Sequence, residues 1–121
     1  MGYFKDVREH IAALDQAGLL VKIEEQINKD TELMPLVRWQ FRGLAEEERR
    51  AFMFTNVVDA KGRKYDIPVV VGALAASRQI YGFGLQCKPD EIVERWNQAQ
   101  RQPIPPKIVD DAPKPELRQS A

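Results

Sequence analysis

A chain of 121 residues, 44% apolar and 30% charged, suffices for one domain with one hydrophobic core, burying roughly two thirds of the surface its unfolded form exposes. Eighteen Lys and Arg residues balance eighteen Asp and Glu residues, so no net field recruits a polyanion, and nucleic acid is not an expected partner. The single cysteine, Cys87, excludes an intrachain disulfide and a cysteine-based metal cluster. No run approaches the ~20 apolar residues of a membrane span, and the charged N-terminus is unlike a secretory signal, so a cytoplasmic protein without a membrane partner is expected.

Phe4, Val7, Ile11 and Leu14 recur at helical spacing and predict an amphipathic helix from Phe4 to Ala17, with Gly18 as its C-terminal cap in a positive-φ conformation. Leu19 to Ile23 follows this stop at once and reads as the first strand. Asn28, Lys29, Asp30 and Thr31 offer N-cap side chains for a second helix, with Glu32 favoured by the helix dipole and Pro35 held to the first turn. Leu33, Leu36, Val37, Phe41 and Leu44 share one side of it, and Gly43 ends or bends it.

The basic pair Arg49-Arg50 follows Glu46-Glu47-Glu48, which neutralises it locally; a solvated helical face is expected there. Phe52 to Val58 is rich in aromatic and β-branched residues, and a polar turn around Gly62 separates it from a second strand, Ile67 to Gly72. Val69-Val70-Val71 is apolar at consecutive positions, as in a strand covered on both faces. Ala73 to Tyr81 predicts a short helix that Gly82 and Gly84 terminate. Pro89 suits a first helical position, and Ile92, Val93 and Trp96 form the stripe of a last helix ending near Gln102. The prolines from Pro103 onward then give an extended tail. The expected architecture is α+β, a small mixed β-sheet packed with about four helices over residues 1–102, followed by a proline-rich linker or docking arm over 103–121.

Few residues carry chemistry. His10, the only histidine, falls off the Val7, Ile11, Leu14 stripe and is expected on the surface without metal partners. Cys87 has no histidine or orienting acid near it in sequence and reads as a half-buried cysteine rather than a nucleophile. Ser77 lacks the flanking glycines of a nucleophile elbow, which leaves capping or helix-surface duty. Gly82-Phe83-Gly84 comes after the predicted helix, whereas a phosphate loop needs its glycines between strand and helix.

Taken in order, several segments resemble the UbiD family, the 3-octaprenyl-4-hydroxybenzoate carboxy-lyase-like decarboxylases. Phe4 to Ile23 is similar to the opening pattern D-L-R-x-F-I-x-x-L-x-x-x-G-x-L-x-x-I, Asp30-Thr31-Glu32-Leu33 to D-x-E-I, and Phe54-Thr55-Asn56-Val57 to F-x-N-V. Val70 to Arg78 resembles V-V-G-N-L-x-G-S-R, with Ala73 where Asn is common and Ala76 where Gly is common. Pro103-Ile104-Pro105-Pro106 and Asp111-Ala112-Pro113 resemble the proline-rich exit into the next domain.

The resemblance implies an N-terminal α+β domain. In the family a middle domain binds prenylated FMN with a divalent metal and potassium and supplies the catalytic Arg and two Glu residues, and a final domain mediates oligomerisation. None of those positions maps onto this sequence, so no catalytic, cofactor-binding or metal-binding residue is expected in it. The implied role is a non-catalytic N-terminal domain or small subunit of an aromatic acid decarboxylase or carboxylase, docked on a UbiD-like catalytic chain or domain that holds the cofactors, with any oligomer formed through that partner. A free-standing interaction module binding through the Trp96 helix and the tail is the alternative, and a small hydrolase using Cys87 or Ser77 is a third.

Overall fold

Asp6 starts the first helix: its carboxylate accepts from the Glu9 amide at 2.9 Å, filling one of the donors a helix N-terminus leaves open. The computed structural model describes residues 3–111. Helix α1 spans Val7–Gln16, β1 Leu20–Ile23, β2 Ile27–Asn28, α2 Leu33–Gly43, β3 Ala51–Phe54, β4 Val57–Val58, β5 Lys64–Tyr65, β6 Val69–Val71, α3 Arg78–Leu85 and α4 Ile92–Arg101. Short 3-10 turns cover Glu46–Glu48 and Pro89–Glu91. Gly18 closes α1 at φ +71°, as its sequence position predicts. Phe4 lies before the helix rather than in it, and its ring packs against those of His10 and Phe83.

The expected mixed sheet divides into two three-stranded pieces, ordered β1-β3-β6 and β2-β4-β5. In each, the first pair is parallel and the second antiparallel. The run from Phe52 to Val58, read as one strand, breaks at Thr55-Asn56 into β3 and β4, and its neighbour breaks alongside it between β1 and β2. Backbone bonds carry the pairing across the break: Thr55 N–H donates to Ile23 O at 3.1 Å and Ile27 N–H to Asn56 O at 3.0 Å.

Side chains alternate across the first sheet and divide the core in two. On one face Leu20, Ala51 and Val70 pack with Leu14 of α1, Ile80 and Phe83 of α3, and Leu19, Ala73 and Ala76. On the other, Ile23, Phe52, Phe54, Val69 and Val71 pack with Leu33 and Val37 of α2, and with Ile27, Val57 and Tyr65 of the second sheet. This explains the Val69-Val70-Val71 run: each face needs an apolar residue. The three remain half-buried because β6 lies at a sheet edge. Fully burying a side chain such as Phe54 or Leu14 is worth about 1.5–3 kcal/mol each.

Helix α2 follows a turn in which Asn28 accepts from the Asp30 amide, while the Glu32 carboxylate accepts from the Asn28 amide at 2.8 Å. Glu32 is thus the residue before the helix, and none of the side chains from Asn28 to Thr31 caps it. Pro35 sits in the first turn as expected. The buried side differs from the expected stripe: Leu33, Val37 and Gln40 face inward, and Leu36, Phe41 and Leu44 are exposed.

The largest departure is α3. It begins at Arg78, with Ser77 as its N-cap, rather than at Ala73, and Gly82 and Gly84 lie inside it. The stop comes from Gln86, in the left-handed conformation at φ 56°. Cys87 N–H bonds to Gly82 O at 2.9 Å and Gln86 N–H to Phe83 O at 3.1 Å, the Schellman pattern of helix closure. That closure lays the Cys87 backbone over Gly82, where a Cβ would stand 2.7 Å from Cys87 O. A Cβ at Gly84 would meet only His10 Cε1 at 3.7 Å, an ordinary contact. The two glycines therefore have opposite predicted responses. Gly82→Ala should destabilise by about 1–3 kcal/mol and lower the melting temperature by several degrees, whereas Gly84→Ala should leave it unchanged or raise it, since Ala is up to about 1 kcal/mol better than Gly inside a helix. Thermal denaturation of the two variants side by side checks this; equal effects would contradict it.

Candidate functional site

His10, Ser77 and Cys87 gather around α3, and the first two are committed to the scaffold. His10 corrects the surface expectation: it is only 6% exposed. Helix α1 turns His10 and Leu14 inward, four residues apart, and leaves Val7 in solvent. Imidazole Nε2 lies 2.8 Å from Ala73 O. A carbonyl only accepts, so Nε2 carries the proton and donates. The ring is flanked by Phe4 and Phe83, with centroids at 5.0 and 6.2 Å. His10 is a strut between α1 and the turn leading into α3.

Ser77 takes the capping alternative. It is buried, and its Oγ accepts from the Ile80 amide at 3.2 Å at the head of α3. Cys87 is half-buried, beside a shallow apolar cavity of about 490 Å³ lined by Phe4, Ala13, Phe83, Gln86, Lys88 and Glu91. Among the described residues no hydrogen bond joins the side chains of His10, Ser77 and Cys87. Nucleophile, base and orienting group are not assembled.

The acidic run stays close enough for Glu46 to feel the charge of Arg49, but its direct ion pair is not with Arg49 or Arg50. Glu46 reaches instead to Arg78: Oε1 accepts from the Arg78 amide at 2.7 Å and from Nε at 3.1 Å, and Oε2 accepts from Nη2 at 3.1 Å. A bidentate carboxylate thus sits over the first turn of α3, where the helix dipole also favours negative charge. The Arg78 side-chain bonds, then its amide, hold the Glu46 carboxyl below its ordinary range. Arg49 lies over the Phe41 ring at 5.2 Å, and Arg50 Nη1 donates to the carbonyls of Glu47 and Arg49. A second carboxylate organises the turn between β4 and β5. Asp59 Oδ1 accepts from the amides of Lys61 and Arg63, and its Oδ2 accepts from the Tyr65 hydroxyl at 3.1 Å. These bonds, that from Arg63 foremost, lower the Asp59 pKa. Neither role is visible in sequence, because the Glu46 partner lies 32 residues away and the Asp59 bonds exist only once the turn has closed.

Two helices present apolar surface outward. On α2, Trp39 is 73% exposed, with Met34, Leu36 and Phe41 partly uncovered around it. Pro35, Arg38, Trp39, Arg42 and Gly43 line a shallow groove of about 300 Å³. On α4, Val93 is exposed, and Trp96 leans on α3 with its Nε1 donating to the Tyr81 hydroxyl at 2.7 Å. A cleft of about 500 Å³ between α4 and α3 is lined by Tyr3, Leu85, Gln86, Arg95 and Trp96.

A sequence model of the 3-octaprenyl-4-hydroxybenzoate carboxy-lyase N-terminal domain matches residues 11–100. The chain belongs to the UbiD family, as its N-terminal domain. The UbiD-type domain also superposes on Sedimentibacter hydroxybenzoicus vanillic acid decarboxylase, solved in an open form, with a TM-score of 0.64 at 24% identity. The match covers 89% of this chain and 22% of that one, so the domain spans well under half of the decarboxylase it resembles. The UbiD-like segment from Val70 to Arg78 proves to be the strand-to-helix turn. Gly72 needs φ +77° there, and a Cβ on it would lie 3.1 Å from the Ala76 methyl. Ala76, standing where the family commonly has Gly, thereby tightens the requirement for glycine at 72.

Among the described residues no three His, Cys, Asp or Glu side chains converge as a metal-ligand set. No helix among them is long and apolar enough to cross a membrane.

Glu46 and Asp59 contribute to the acid response of the UbiD-type domain, together with Asp30, whose carboxyl pKa is lowered by its bonds from Lys29 and the Ala60 amide. Their folded-state pKa values lie below the unfolded ones, so the unfolded chain binds more protons as pH falls. The stability they contribute is complete above the ordinary carboxylate range near pH 4 and is lost as pH drops through their lowered values. The melting temperature should therefore decline below about pH 4 to 5, and Glu46→Gln should start lower at pH 7 and decline less steeply. Ser77→Ala should cost about 0.5–2 kcal/mol at every pH. Melting curves from pH 7 to pH 3 separate the two behaviours.

Proposed function

We propose that this UbiD-type domain is the non-catalytic part of a prenylated-FMN-dependent aromatic acid decarboxylase or carboxylase of the cytoplasm. As an N-terminal domain or a separate small subunit, it docks on the flavin-binding part. The observation that carries this reading is the family match over residues 11–100 in a fold whose His10 and Ser77 are committed to holding and capping α3. The flavin with its metal ions supplies the decarboxylation chemistry in the catalytic part. This chain's residues contribute shape: a rigid body presenting apolar helix faces that help close the flavin site from water.

The segment after α4 supports an arm-like role. Residues 103–111 have no regular secondary structure and stay exposed, with Ile104, Ile108 and Val109 uncovered between prolines and charges. Such a stretch gains little by folding on its own domain and suits a strap along a neighbouring surface. The rest of the expected tail, 112–121, lies outside the described residues.

Co-expression with the UbiD-type catalytic chain of the same organism tests the proposal. A stable complex is expected in native mass spectrometry, with decarboxylation of an aromatic acid only when the catalytic chain and prenylated FMN are both present. Turnover by this chain alone with prenylated FMN, or the absence of any complex, would overturn it.

A further inference from the structure

Neighbouring residues of α2 invert the usual burial rule: Gln40 is buried and Trp39 is in solvent. The inversion is enforced. Gln40 Nε2 donates to Arg50 O and its Oε1 accepts from Arg50 N–H, both at 3.0 Å. The amide side chain thus pairs with the Arg50 backbone just before β3, much as a neighbouring strand would. Rotating α2 to bury Trp39 would break both bonds and leave the Arg50 backbone groups unpaired, at a cost a helix does not bear without reason. The tryptophan is held outward, and a large exposed aromatic on a fixed frame is the feature that anchors protein interfaces.

The charges around it name the partner's chemistry. Arg38 and Arg42 lie one turn apart beside Trp39, and Pro35 and Gly43 complete the groove. Helix α2 contains no acidic residue, and no ion pair among the described residues includes either arginine. A second copy related by a two-fold axis would bring α2 against α2 and face these arginines with their own kind, which is repulsive. The complementary surface carries carboxylates around an apolar seat.

We infer that the outer face of α2, with Trp39 as anchor and Arg38 and Arg42 as flanking cations, is the surface by which this domain docks on an acidic, apolar-seated face of the UbiD-type catalytic part. This rests on the docking function proposed above and specifies where it happens. Binding to that part removes Trp39 from water and pairs both arginines with carboxylates.

The test uses the full chain and the co-expressed catalytic chain, with affinity measured by titration calorimetry at two salt concentrations. Trp39→Ala should weaken binding about thirtyfold, the scale of an interface anchor. The double variant Arg38→Glu/Arg42→Glu should weaken it at least tenfold and reverse its salt dependence, because the new carboxylates repel the acidic seat and salt screens that repulsion, whereas Val93→Ser on α4 should bind as wild type. In a Trp96→Phe background, the emission of Trp39 should shift to the blue and lose acrylamide quenching on binding. Arg38, Trp39, Arg42 and Val93 are exposed, and unchanged circular dichroism and melting of their variants, with the Trp96→Phe background as its own reference, confirm folding; Trp39→Tyr, which keeps an aromatic anchor, should bind within a few-fold of wild type. Wild-type complex formation with undiminished affinity in the α2 variants overturns the inference and leaves the docking function standing, as does weakening by Val93→Ser alone. Self-association of the isolated chain that Trp39→Ala abolishes assigns the face to a second copy and also overturns it. Failure of the wild-type chain to bind overturns both readings.

Discussion

The turn from β6 into α3 is the constraint on which the rest of the domain depends. Gly72 takes a left-handed conformation there, and the carbonyl of the next residue is held by His10 from α1. Five residues on, Ser77 caps α3, and Glu46 clamps Arg78. Helix α1, the 3-10 turn before β3 and the end of the sheet are thereby tied to one point. Helix α3 stands on that point, and α4 rests on α3 through Trp96 and Tyr81.

A single polar clamp orients the other side of the sheet. Gln40 fixes the rotation of α2 by pairing with the Arg50 backbone, and the apolar contacts of Leu33 and Val37 follow from that rotation. The domain thus uses hydrogen bonds to decide which of several apolar residues on α2 go inside. Helix α2 carries more apolar residues than its buried side holds, with Met34, Leu36, Trp39 and Phe41 left exposed; the buried amide fixes the rotation and leaves the aromatic surface outward.

The order of the elements was legible in the sequence, because their signals are local. Helical spacing marks α1, Gly18 marks its end, Pro35 and Pro89 mark first turns, and the polar stretch around Gly62 separates the strands. The misreadings share a cause. Gly82 and Gly84 look like a helix stop, but the stop is Gln86, and Gly82 is required by the Cys87 backbone crossing above it. His10 misses the apolar stripe by one position, yet the rings of Phe4 and Phe83 make an inward site for it. The strand from Phe52 to Val58 breaks because its parallel neighbour breaks with it, a property of the pair rather than of either segment.

By itself the sequence determined the α+β class, the element order and the family resemblance, since periodicity, turn residues and ordered motifs are written along the chain. Tertiary structure alone decided which polar side chains are spent on the fold and which face of α2 remains uncovered. Those outcomes depend on partners 10 to 63 residues away, as in Gln40 with Arg50 and His10 with Ala73. A hydrogen bond between such residues has no meaning until the backbone has brought them within 3 Å, and only then does a histidine become a strut and a tryptophan an exposed anchor.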